Sequence, residues 1–271
     1  MKLQKTDIVE FQNIVLKQGA ALYRDMPWRT DCNPYYVLVS EIMLQQTQVP
    51  RVLQKFSEFI TVFPTLESLA KAEFYEVLQQ WSGLGYNRRA KFLHKCAIQI
   101  QNAGVFPQSL HELQQLPGIG VNTAASILVY AFNEPQVFIE TNIRTVYIYH
   151  FFEDAIQKID EKELYDIVQQ TSYTDNPRQW YWSLMDYGTH IKKTIGNYNK
   201  LSKMHSTQSK FEGSNRQKRA AIIRLLLQYG PQTIDSIVYY QKYTVSEVND
   251  LLMALVKESM VKEQSGIYSI M

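Results

Sequence analysis

One short turn constrains the fold of this chain more than any other segment. Residues 113–132, LQQLPGIGVNTAASILVYAF, place Leu-Pro-Gly-Ile-Gly between two stretches with helical apolar spacing. Gly118 and Gly120 permit a tight turn that side chains would obstruct, and the helix that follows from Val121 presents main-chain amides and the positive end of its dipole. The segment predicts a helical hairpin that binds a phosphate, and an ordinary helix-turn-helix corner is the alternative.

The rest of the first two-thirds of the chain is also punctuated as helices. Asn33-Pro34 predicts an N-cap followed by proline at the first helical position, and Pro64-Thr65 predicts a second start of the same kind. Apolar residues recur at helical intervals in residues 92–100, 123–132 and 161–168. We therefore expect an all-α fold.

The composition changes around residue 213. Residues 195–215 are rich in Ser, Thr, Asn, Lys and Gly, which predicts a linker and a domain boundary near Gly213. Beyond it we expect helices over 216–229 and 234–240, a third helix opened by a Thr244–Glu247 capping box, and a hairpin over 260–270. The sequence therefore predicts two domains, 1–213 and 214–271, the second a small winged-helix-like module that binds either DNA or protein.

Charge is distributed unevenly along the chain. The net charge is only +2, but residues 188–224 hold nine basic residues against one acid, Glu212, so this segment carries +8 and the remainder −6. A concentrated basic stretch attracts phosphate. It predicts a nucleic-acid contact, and a solvated lysine-rich linker is the alternative.

The sequence also limits cofactors and location. It contains two cysteines, Cys32 and Cys96, so neither a disulfide framework nor a four-cysteine metal site can be built. The amino terminus mixes charged and apolar residues too closely for a signal peptide, and no apolar run reaches about eighteen residues. We expect a cytoplasmic protein, nucleoid-associated if bacterial, with no membrane contact.

Four blocks together resemble a known family of DNA repair proteins. The hairpin LPGIGVNTAA resembles the helix-hairpin-helix signature of the superfamily named after endonuclease III. PWR at 27–29, NPYYVLVSEIMLQQTQV at 33–49 and WSGLGYNRRAKFLHKCA at 81–97 are similar to blocks of the MutY-type adenine glycosylases, in the same order. The resemblance covers roughly residues 7–190. It implies two helical subdomains with a cleft between them, and removal of adenine mispaired with 8-oxoguanine or guanine.

Glu41 is the most specific residue of this resemblance, because relatives closer to endonuclease III generally have glutamine there. It lies among apolar residues, before the uncharged polar run 45–48, QQTQ, which suits hydrogen bonds to bases. A surface glutamate on an amphipathic helix is the ordinary alternative. The resemblance implies that Glu41 is the general acid that protonates the departing adenine and later handles the attacking water, with a pKa raised by burial. It also implies that Gln46 and Tyr86 wedge into the duplex when the target nucleotide is extruded.

The resemblance implies a second catalytic carboxyl group at Glu140. The segment 138–144, FIETNIR, follows the hairpin where the family has aspartate, glycine and asparagine, and Asn142 matches that asparagine. The family's carboxylate stabilises the cationic sugar and stays ionised while Glu41 gives up a proton. Glu140 is one methylene longer, and misplacing a catalytic group by about 1 Å costs on the order of a hundredfold in rate. Either the backbone compensates or the activity is altered.

Three further departures refine the expected chemistry. Asn122 replaces the lysine with which bifunctional relatives form a Schiff base, so we expect a monofunctional enzyme that leaves an abasic site. The family's four cluster cysteines correspond here to Lys192, Asn199, Ser202 and Gln208, so we expect no iron–sulfur cluster, no other cofactor and no metal. Residues 214–271 are too short and helical for the usual domain that reads 8-oxoguanine.

The expected DNA contacts follow from the hairpin, the polar run, the aromatic wedge and the basic loop 189–213. The candidate DNA-binding residues are Gln45, Gln46, Gln48, Tyr86, Arg88, Gly118, Gly120, Val121, Lys192 and Lys193. The candidate catalytic residues are Glu41, Glu140, Asn142 and Asn122. The expected partner is double-stranded DNA with a mispair, bound by a monomer.

Two other functions remain open from the sequence. The same fold serves mismatch thymine or uracil glycosylases, although protonating a purine requires an acid such as Glu41. The chain could also be a non-catalytic, lesion-sensing DNA-binding protein. Carboxyl groups at both expected positions, Glu41 and Glu140, favour the enzyme.

Overall fold

The structure is a computed structural model that describes residues 2–207 and 210–271, and helices form most of it. The helices of the first half are α1 (Lys5–Ala21), α2 (Pro27–Thr30), α3 (Pro34–Leu44), α4 (Val49–Val62), α5 (Leu66–Lys71), α6 (Phe74–Trp81), α7 (Arg88–Ala103), α8 (Leu110–Gln114) and α9 (Val121–Phe132). The later helices are α10 (Thr141–Phe151), α11 (Glu161–Gln170), α12 (Pro177–Thr194), α13 (Asn215–Tyr229), α14 (Ile234–Gln241) and α15 (Val245–Lys257), with a 3₁₀ helix over Tyr198–Leu201. The expectation of a predominantly helical fold is confirmed.

The chain forms two compact units and passes between them several times. Of the described residues, unit 1 comprises 2–37, 107–115 and 119–207, and unit 2 comprises 38–106, 116–118 and 210–271. The three helices and the sheet beyond Gly213 therefore belong to the same unit as α4–α7. The domain boundary expected near Gly213 stays a prediction.

Unit 1 is built around α12, which packs against α1 and α10. The core contains an aromatic cluster, in which the ring of Phe11 lies 5.1 Å from that of Tyr147 and 6.0 Å from that of Trp180. Helices α10 and α12 approach closely at Gly188, where an added Cβ atom would lie 2.1 Å from the carbonyl oxygen of Asn142. Glycine at that point therefore brings α12 against the first turn of α10.

A buried ion cluster fixes the PWR block within unit 1. Asp186, on α12, accepts hydrogen bonds from the guanidinium of Arg29 at 2.6 and 3.0 Å and from Arg24 at 2.6 Å. Arg29 and Asp186 are both buried. Removing one partner from such a cluster would leave an uncompensated buried charge, so Arg29 stabilises the fold of unit 1.

Unit 2 combines a helical core with a small antiparallel sheet. In the helical part, Phe56, Phe59 and Trp81 are fully buried. The sheet consists of β1 (Gln232–Thr233), β2 (Val261–Gln264) and β3 (Ile267–Ile270), in the order β1-β3-β2. Three helices followed by the β2–β3 hairpin is the winged-helix order that the sequence predicts.

Local signals predict the starts of α3 and α15 correctly, and that of α5 only in part. Asn33-Pro34 opens α3 as expected, but Pro64 does not occupy the first helical position, because Thr65 caps α5 and the proline precedes the cap. Thr244 and Glu247 form the expected capping box of α15. Strand β1 and the 3₁₀ helix at Tyr198–Leu201 were not expected. Among the described residues, no helix combines the length and apolar character needed to cross a bilayer.

Candidate active site

Glu41 occupies the third turn of α3, in unit 2. The helix starts where the side-chain oxygen of Asn33 accepts the amide of Tyr35 at 2.9 Å. Leu38 and Ile42, on either side of Glu41, are buried, and Glu41 itself is half-buried. The carboxyl group thus has apolar neighbours along its helix while keeping some exposure, as a proton donor to a ligand requires.

Arg89 fixes the end of α3, and it was not among the residues singled out from the sequence. Its guanidinium donates to the carbonyl oxygens of Ile42 at 2.9 Å and Met43 at 2.8 Å, and also to that of Gln45. The same side chain donates to the hydroxyl of Thr47 at 3.0 Å. Burial lowers the pKa of Arg89 to about 10. Arg89 therefore satisfies the last carbonyls of the helix that carries Glu41.

A second set of Arg89 contacts reaches the loop before α7. The guanidinium donates to the carbonyl oxygens of Leu84 at 3.4 Å and Gly85 at 3.2 Å, and it lies 5.3 Å from the ring centre of Tyr86. One buried arginine therefore holds together the two segments that carry the polar run and the aromatic wedge. A signal was available in the sequence, since Arg89 shares the helical spacing of the apolar residues Leu93, Cys96 and Ile100.

Gln46 and Tyr86 share an uncommon backbone conformation. Their φ angles are 57° and 48°, in the left-handed region that residues other than glycine seldom adopt. Such conformations cost of order 1–3 kcal/mol and cluster at functional sites. The two expected wedge residues are therefore held in a strained backbone, which sets the direction in which each side chain leaves the chain.

The other expected contacts in unit 2 differ in exposure. Gln46, Gln48 and Arg88 are exposed, whereas Gln45 is half-buried. The guanidinium of Arg88 lies 4.9 Å from the ring centre of Phe92, one turn further along α7. Exposure of these polar side chains fits a ligand surface, and their binding role stays a prediction.

The hairpin turn needs glycine at position 118. Gly118 has φ +77°, and a Cβ atom there would lie 2.5 Å from the ring of Phe92. Leu116 and Ile119 are buried and anchor the turn, while Gly120 forms the N-cap of α9 and Val121 is 60% exposed. The turn thus presents an exposed helix start, the geometry that suits an anion.

Glu140 forms the N-cap of α10, in unit 1. Burial raises the pKa of its carboxyl group, and the positive charge of Arg144 opposes that shift. Arg144 is itself engaged by Glu161, with contacts of 2.6 and 3.2 Å. The sequence resemblance implies a raised pKa at Glu41 and an ionised carboxyl group at Glu140. It therefore does not predict the raised pKa of Glu140. Its position at the positive end of a helix dipole favours the ionised form.

Asn122 and Asn142 both make hydrogen bonds inside unit 1. The amide of Asn122 donates to the carbonyl oxygen of Ile139 at 3.1 Å, directly before Glu140. The amide of Asn142 donates to the hydroxyl of Thr189 at 3.2 Å. Asn122 therefore connects the first turn of α9 to the segment that carries Glu140, and the catalytic roles of both asparagines stay predictions.

The loop after α12 is held by hydrogen bonds at positions that, by the sequence resemblance, correspond to the family's cluster cysteines. The amide of Asn199 donates to the carbonyl oxygen of Thr141 at 2.9 Å and to the hydroxyl of Thr145 at 2.6 Å. Both Asn199 and Ser202 are buried, and Ser202 forms a parallel bridge with Ile159. Gln208 lies outside the described residues.

These donors do not fit a thiolate-bound cluster. Lys192 is an exposed ammonium group at the end of α12, and Asn199 and Ser202 provide an amide and a hydroxyl. Cys96 donates its thiol to the carbonyl oxygen of Pro117 at 3.2 Å, and burial raises its pKa to about 12. Iron–sulfur clusters are ligated by thiolates, so no step of the chemistry is assigned to one.

The candidate residues divide between the two units. Unit 2 holds Glu41, Gln45, Gln46, Gln48, Tyr86, Arg88 and Gly118. Unit 1 holds Gly120, Val121, Asn122, Glu140, Asn142, Lys192 and Lys193. Each unit therefore carries one of the two expected catalytic carboxyl groups.

Two helices, α8 and α9, joined by the turn at Gly118, define a helix-hairpin-helix protein. Residues 39–173, which include Glu41 and Glu140, match the HhH-GPD superfamily base excision DNA repair proteins. The chain belongs to this HhH-GPD superfamily.

Individual relatives agree with that assignment. An adenine DNA glycosylase of Buchnera aphidicola subsp. Baizongia pistaciae is 34% identical over 188 residues, which is 69% of this chain and 54% of the relative. An adenine DNA glycosylase of Rattus norvegicus is 32% identical over 198 residues, 68% of this chain and 38% of the relative. The chain thus spans about half the length, or less, of these relatives.

Solved structures share the fold. A thermostable thymine-DNA glycosylase aligns with a TM-score of 0.64 and 24% identity over 73% of this chain and 94% of its own. Endonuclease III in a non-covalent DNA complex aligns with a TM-score of 0.60 and 17% identity over 74% of this chain and 96% of its own. These structural similarities support the fold. They do not identify the substrate of this chain.

Proposed function

We propose that the protein is a monofunctional DNA glycosylase that hydrolyses the N-glycosidic bond of adenine mispaired with 8-oxoguanine or guanine. The observation that carries this proposal is the 34% identity to an adenine DNA glycosylase over 188 residues, together with a family match that includes Glu41 and Glu140. The half-buried carboxyl group on α3 and the second one at the start of α10 support it.

In the proposed reaction, Glu41 gives its proton to the adenine as the bond between the base and C1′ of the deoxyribose breaks. The bonding electron pair leaves with the base, and Glu140 in its ionised form stabilises the positive charge on the sugar. A water molecule then adds its oxygen to C1′ and returns a proton to Glu41. The products are free adenine and an abasic site.

Three features support DNA as the partner. The turn at Gly118 precedes an exposed helix start, the loop after α12 presents Lys192 and Lys193 to solvent, and Gln46 and Tyr86 carry strained backbones in unit 2. Lysines and helix starts bind phosphates without regard to sequence. We propose that the protein binds mispaired duplex DNA as a monomer, in the cytoplasm or nucleoid.

End-labelled duplexes with A:8-oxoguanine, A:G, T:G or U:G pairs test this proposal. Each is incubated with the protein and then treated with alkali, which cleaves a strand at an abasic site. We expect alkali-dependent cleavage of the two adenine strands. Cleavage at thymine or uracil would identify the mismatch enzyme instead, cleavage before alkali would reveal lyase action, and binding without cleavage would identify a lesion-sensing protein.

A further inference from the structure

The two terminal nitrogens of the Arg89 guanidinium divide their contacts within unit 2. Nη1 donates to three main-chain carbonyl oxygens at the end of α3 and just beyond it, among them that of Gln45. Nη2 donates to the hydroxyl of Thr47 at 3.0 Å and to two carbonyl oxygens of the loop before α7, among them that of Gly85 at 3.2 Å. A planar fork with two donor nitrogens thus joins two segments that are far apart in sequence.

Two of these contacts involve the peptide groups directly before the residues with left-handed backbones. The carbonyl oxygen of Gln45 precedes Gln46, with φ 57°, and that of Gly85 precedes Tyr86, with φ 48°. A φ angle is the rotation between a residue and the planar peptide group before it, so a hydrogen bond that fixes this group also limits the angle. Arg89 therefore restrains two conformations that residues other than glycine seldom adopt.

Aromatic neighbours fix the orientation of the guanidinium itself. It lies 5.4 Å from the ring centre of Trp81 and 5.3 Å from that of Tyr86. The indole nitrogen of Trp81 donates to the same carbonyl oxygen of Gly85, at 3.0 Å. Stacking of a guanidinium on aromatic rings orients its planar donors, so the fork keeps its direction towards both segments.

The burial of Arg89 limits how it can act on DNA. The residue is only 8% exposed, whereas Gln46 is exposed and Tyr86 is half-buried. A cap for α3 would need no more than the bonds from Nη1, and the bonds from Nη2 go beyond that purpose. Any effect of Arg89 on a bound duplex therefore passes through the segments that it holds.

We propose that Arg89 is a positioning residue for nucleotide extrusion, which aims Gln46 and Tyr86 at the duplex by fixing the peptide group before each of them. This inference rests on the proposed function and on the wedge role that the sequence resemblance implies for these two residues. A wedge whose backbone is already in place spends no binding energy on ordering itself when the target nucleotide leaves the stack. Loss of the fork should therefore slow extrusion more than it slows cleavage of the glycosidic bond.

Two duplexes separate extrusion from bond cleavage. Both carry adenine opposite 8-oxoguanine, and in the second the nucleotides on either side of the adenine are replaced by tetrahydrofuran, an abasic analogue that alkali does not cleave. The adenine of this unstacked duplex has no neighbouring bases to leave, so its extrusion costs less. Single-turnover excision rates are measured on both duplexes with the wild type and with Arg89→Lys, which keeps the positive charge but has one donor nitrogen in place of the fork.

We expect Arg89→Lys to lose selectively on the ordinary duplex. Its rate there should fall by at least about tenfold, towards the hundredfold cost of a misplacement of about 1 Å, and should stay within about threefold of wild type on the unstacked duplex. Arg178→Lys is the matched control, because Arg178 is a half-buried arginine of unit 1 that also donates to a main-chain carbonyl oxygen, that of Ala131 at 2.9 Å. Its rates should stay close to wild type on both duplexes, and circular dichroism checks that each variant is folded.

A double variant asks whether Arg89 acts through the wedge. Added to Tyr86→Ala, Arg89→Lys should slow excision from the ordinary duplex by a smaller factor than it does alone, because one of the side chains that it positions is already missing. An arginine that only stabilises the fold would slow excision by the same factor in both backgrounds.

Three outcomes would overturn the inference. They are equal losses on the two duplexes in folded Arg89→Lys, an ordinary-duplex rate of Arg89→Lys equal to that of wild type, and the same selective loss in Arg178→Lys. A wild-type protein that excises adenine from neither duplex would refute the proposed function, and this inference with it.

Discussion

At the scale of single residues, Glu41 and Glu140 differ in their positions on their helices and in the contacts around them. Glu41 is half-buried on a helix whose end is fixed by the buried Arg89, whereas Glu140 occupies the N-cap position of α10 and burial raises the pKa of its carboxyl group. The fold therefore disfavours the charge that the proposed chemistry requires at Glu140. Such a conflict is typical of catalytic groups, which are retained at a cost in stability.

Replacing Glu140 by glutamine should stabilise the protein at neutral and higher pH. The raised pKa means that the folded state binds the proton more tightly than the unfolded state, so stability falls as pH rises from the unfolded value of about 4.3 through the folded one. We expect Glu140→Gln to show a higher Tm than wild type at about pH 8, and the gap to narrow towards about pH 4.

Thermal unfolding of both proteins across that pH range measures the effect. Glu134→Gln, at an exposed position in the same unit, is the control and should leave the Tm difference close to zero throughout. A Glu140→Gln protein that is less stable than wild type at the higher pH would show that the ionised carboxyl group is stabilised by its surroundings.

At the scale of elements, the loop that follows α12 is built into unit 1 by a side-chain amide. Asn199 bonds the carbonyl oxygen of Thr141 and the hydroxyl of Thr145, both in the first turns of α10, directly after Glu140. A hydrogen-bonded contact thus secures the loop at a position that, by the sequence resemblance, corresponds to a metal ligand of the family. This contact adds to the packing of Gly188 against Asn142 and the bond from Asn142 to Thr189 at the start of α10.

Asn199→Ala should therefore destabilise the protein. The substitution removes two hydrogen bonds of the buried Asn199 side chain, each contributing about 0.5–1.5 kcal/mol, while the Thr145 hydroxyl still donates to the carbonyl oxygen of Thr141. Urea unfolding measures the difference, with Lys200→Ala, at an exposed neighbouring position, as the control expected within about 0.5 kcal/mol of wild type. Equal stability of the two variants would mean that the loop is held by other contacts.

Local sequence signals predicted most of the elements. Proline after Asn33, the Thr244 capping box and the turn at Ser265-Gly266 act within a few residues, and α3, α15 and the β2–β3 hairpin follow them. Strand β1 exists only because it pairs with β3, some 35 residues away: Gln232 pairs with Tyr268. A two-residue strand has no periodicity of its own to detect.

The candidate site likewise combines residues that local motifs reveal with contacts that depend on tertiary packing. Glu41 and Tyr86 could be selected from motif blocks, because the blocks are contiguous in sequence. The contacts of Arg89 with Ile42 and of Arg216 with Tyr86 join segments 47 and 130 residues apart. Such pairings depend on tertiary packing, which the order of residues does not reveal.

At the scale of the whole molecule, positive charge is concentrated in one part of the sequence. Residues 188–224 carry +8 in a chain of net charge +2. They include the exposed Lys192 and Lys193 and the α13 residues Arg216 and Arg224. Affinity for DNA should therefore depend strongly on salt, since each neutralised phosphate releases counterions.

Removing both lysines at the end of α12 should weaken that dependence. We expect Lys192→Ala/Lys193→Ala to reduce the slope of log Kd against log salt by about 0.9 for each lysine that contacts a phosphate. Anisotropy titrations at several salt concentrations measure the slope, with Lys5→Ala, an exposed lysine on α1, as the control. A slope unchanged from wild type would place the DNA contacts elsewhere.

We propose that the carboxyl group of Glu41 is the acid for adenine excision. Single-turnover cleavage of an A:8-oxoguanine duplex by wild type and by Glu41→Gln tests it most directly, with duplex affinity measured in parallel. We predict a loss of at least about a hundredfold in rate, within the range for general acid catalysis, and affinity within about threefold of wild type. A Glu41→Gln protein that excises adenine within about tenfold of the wild-type rate would contradict the claim.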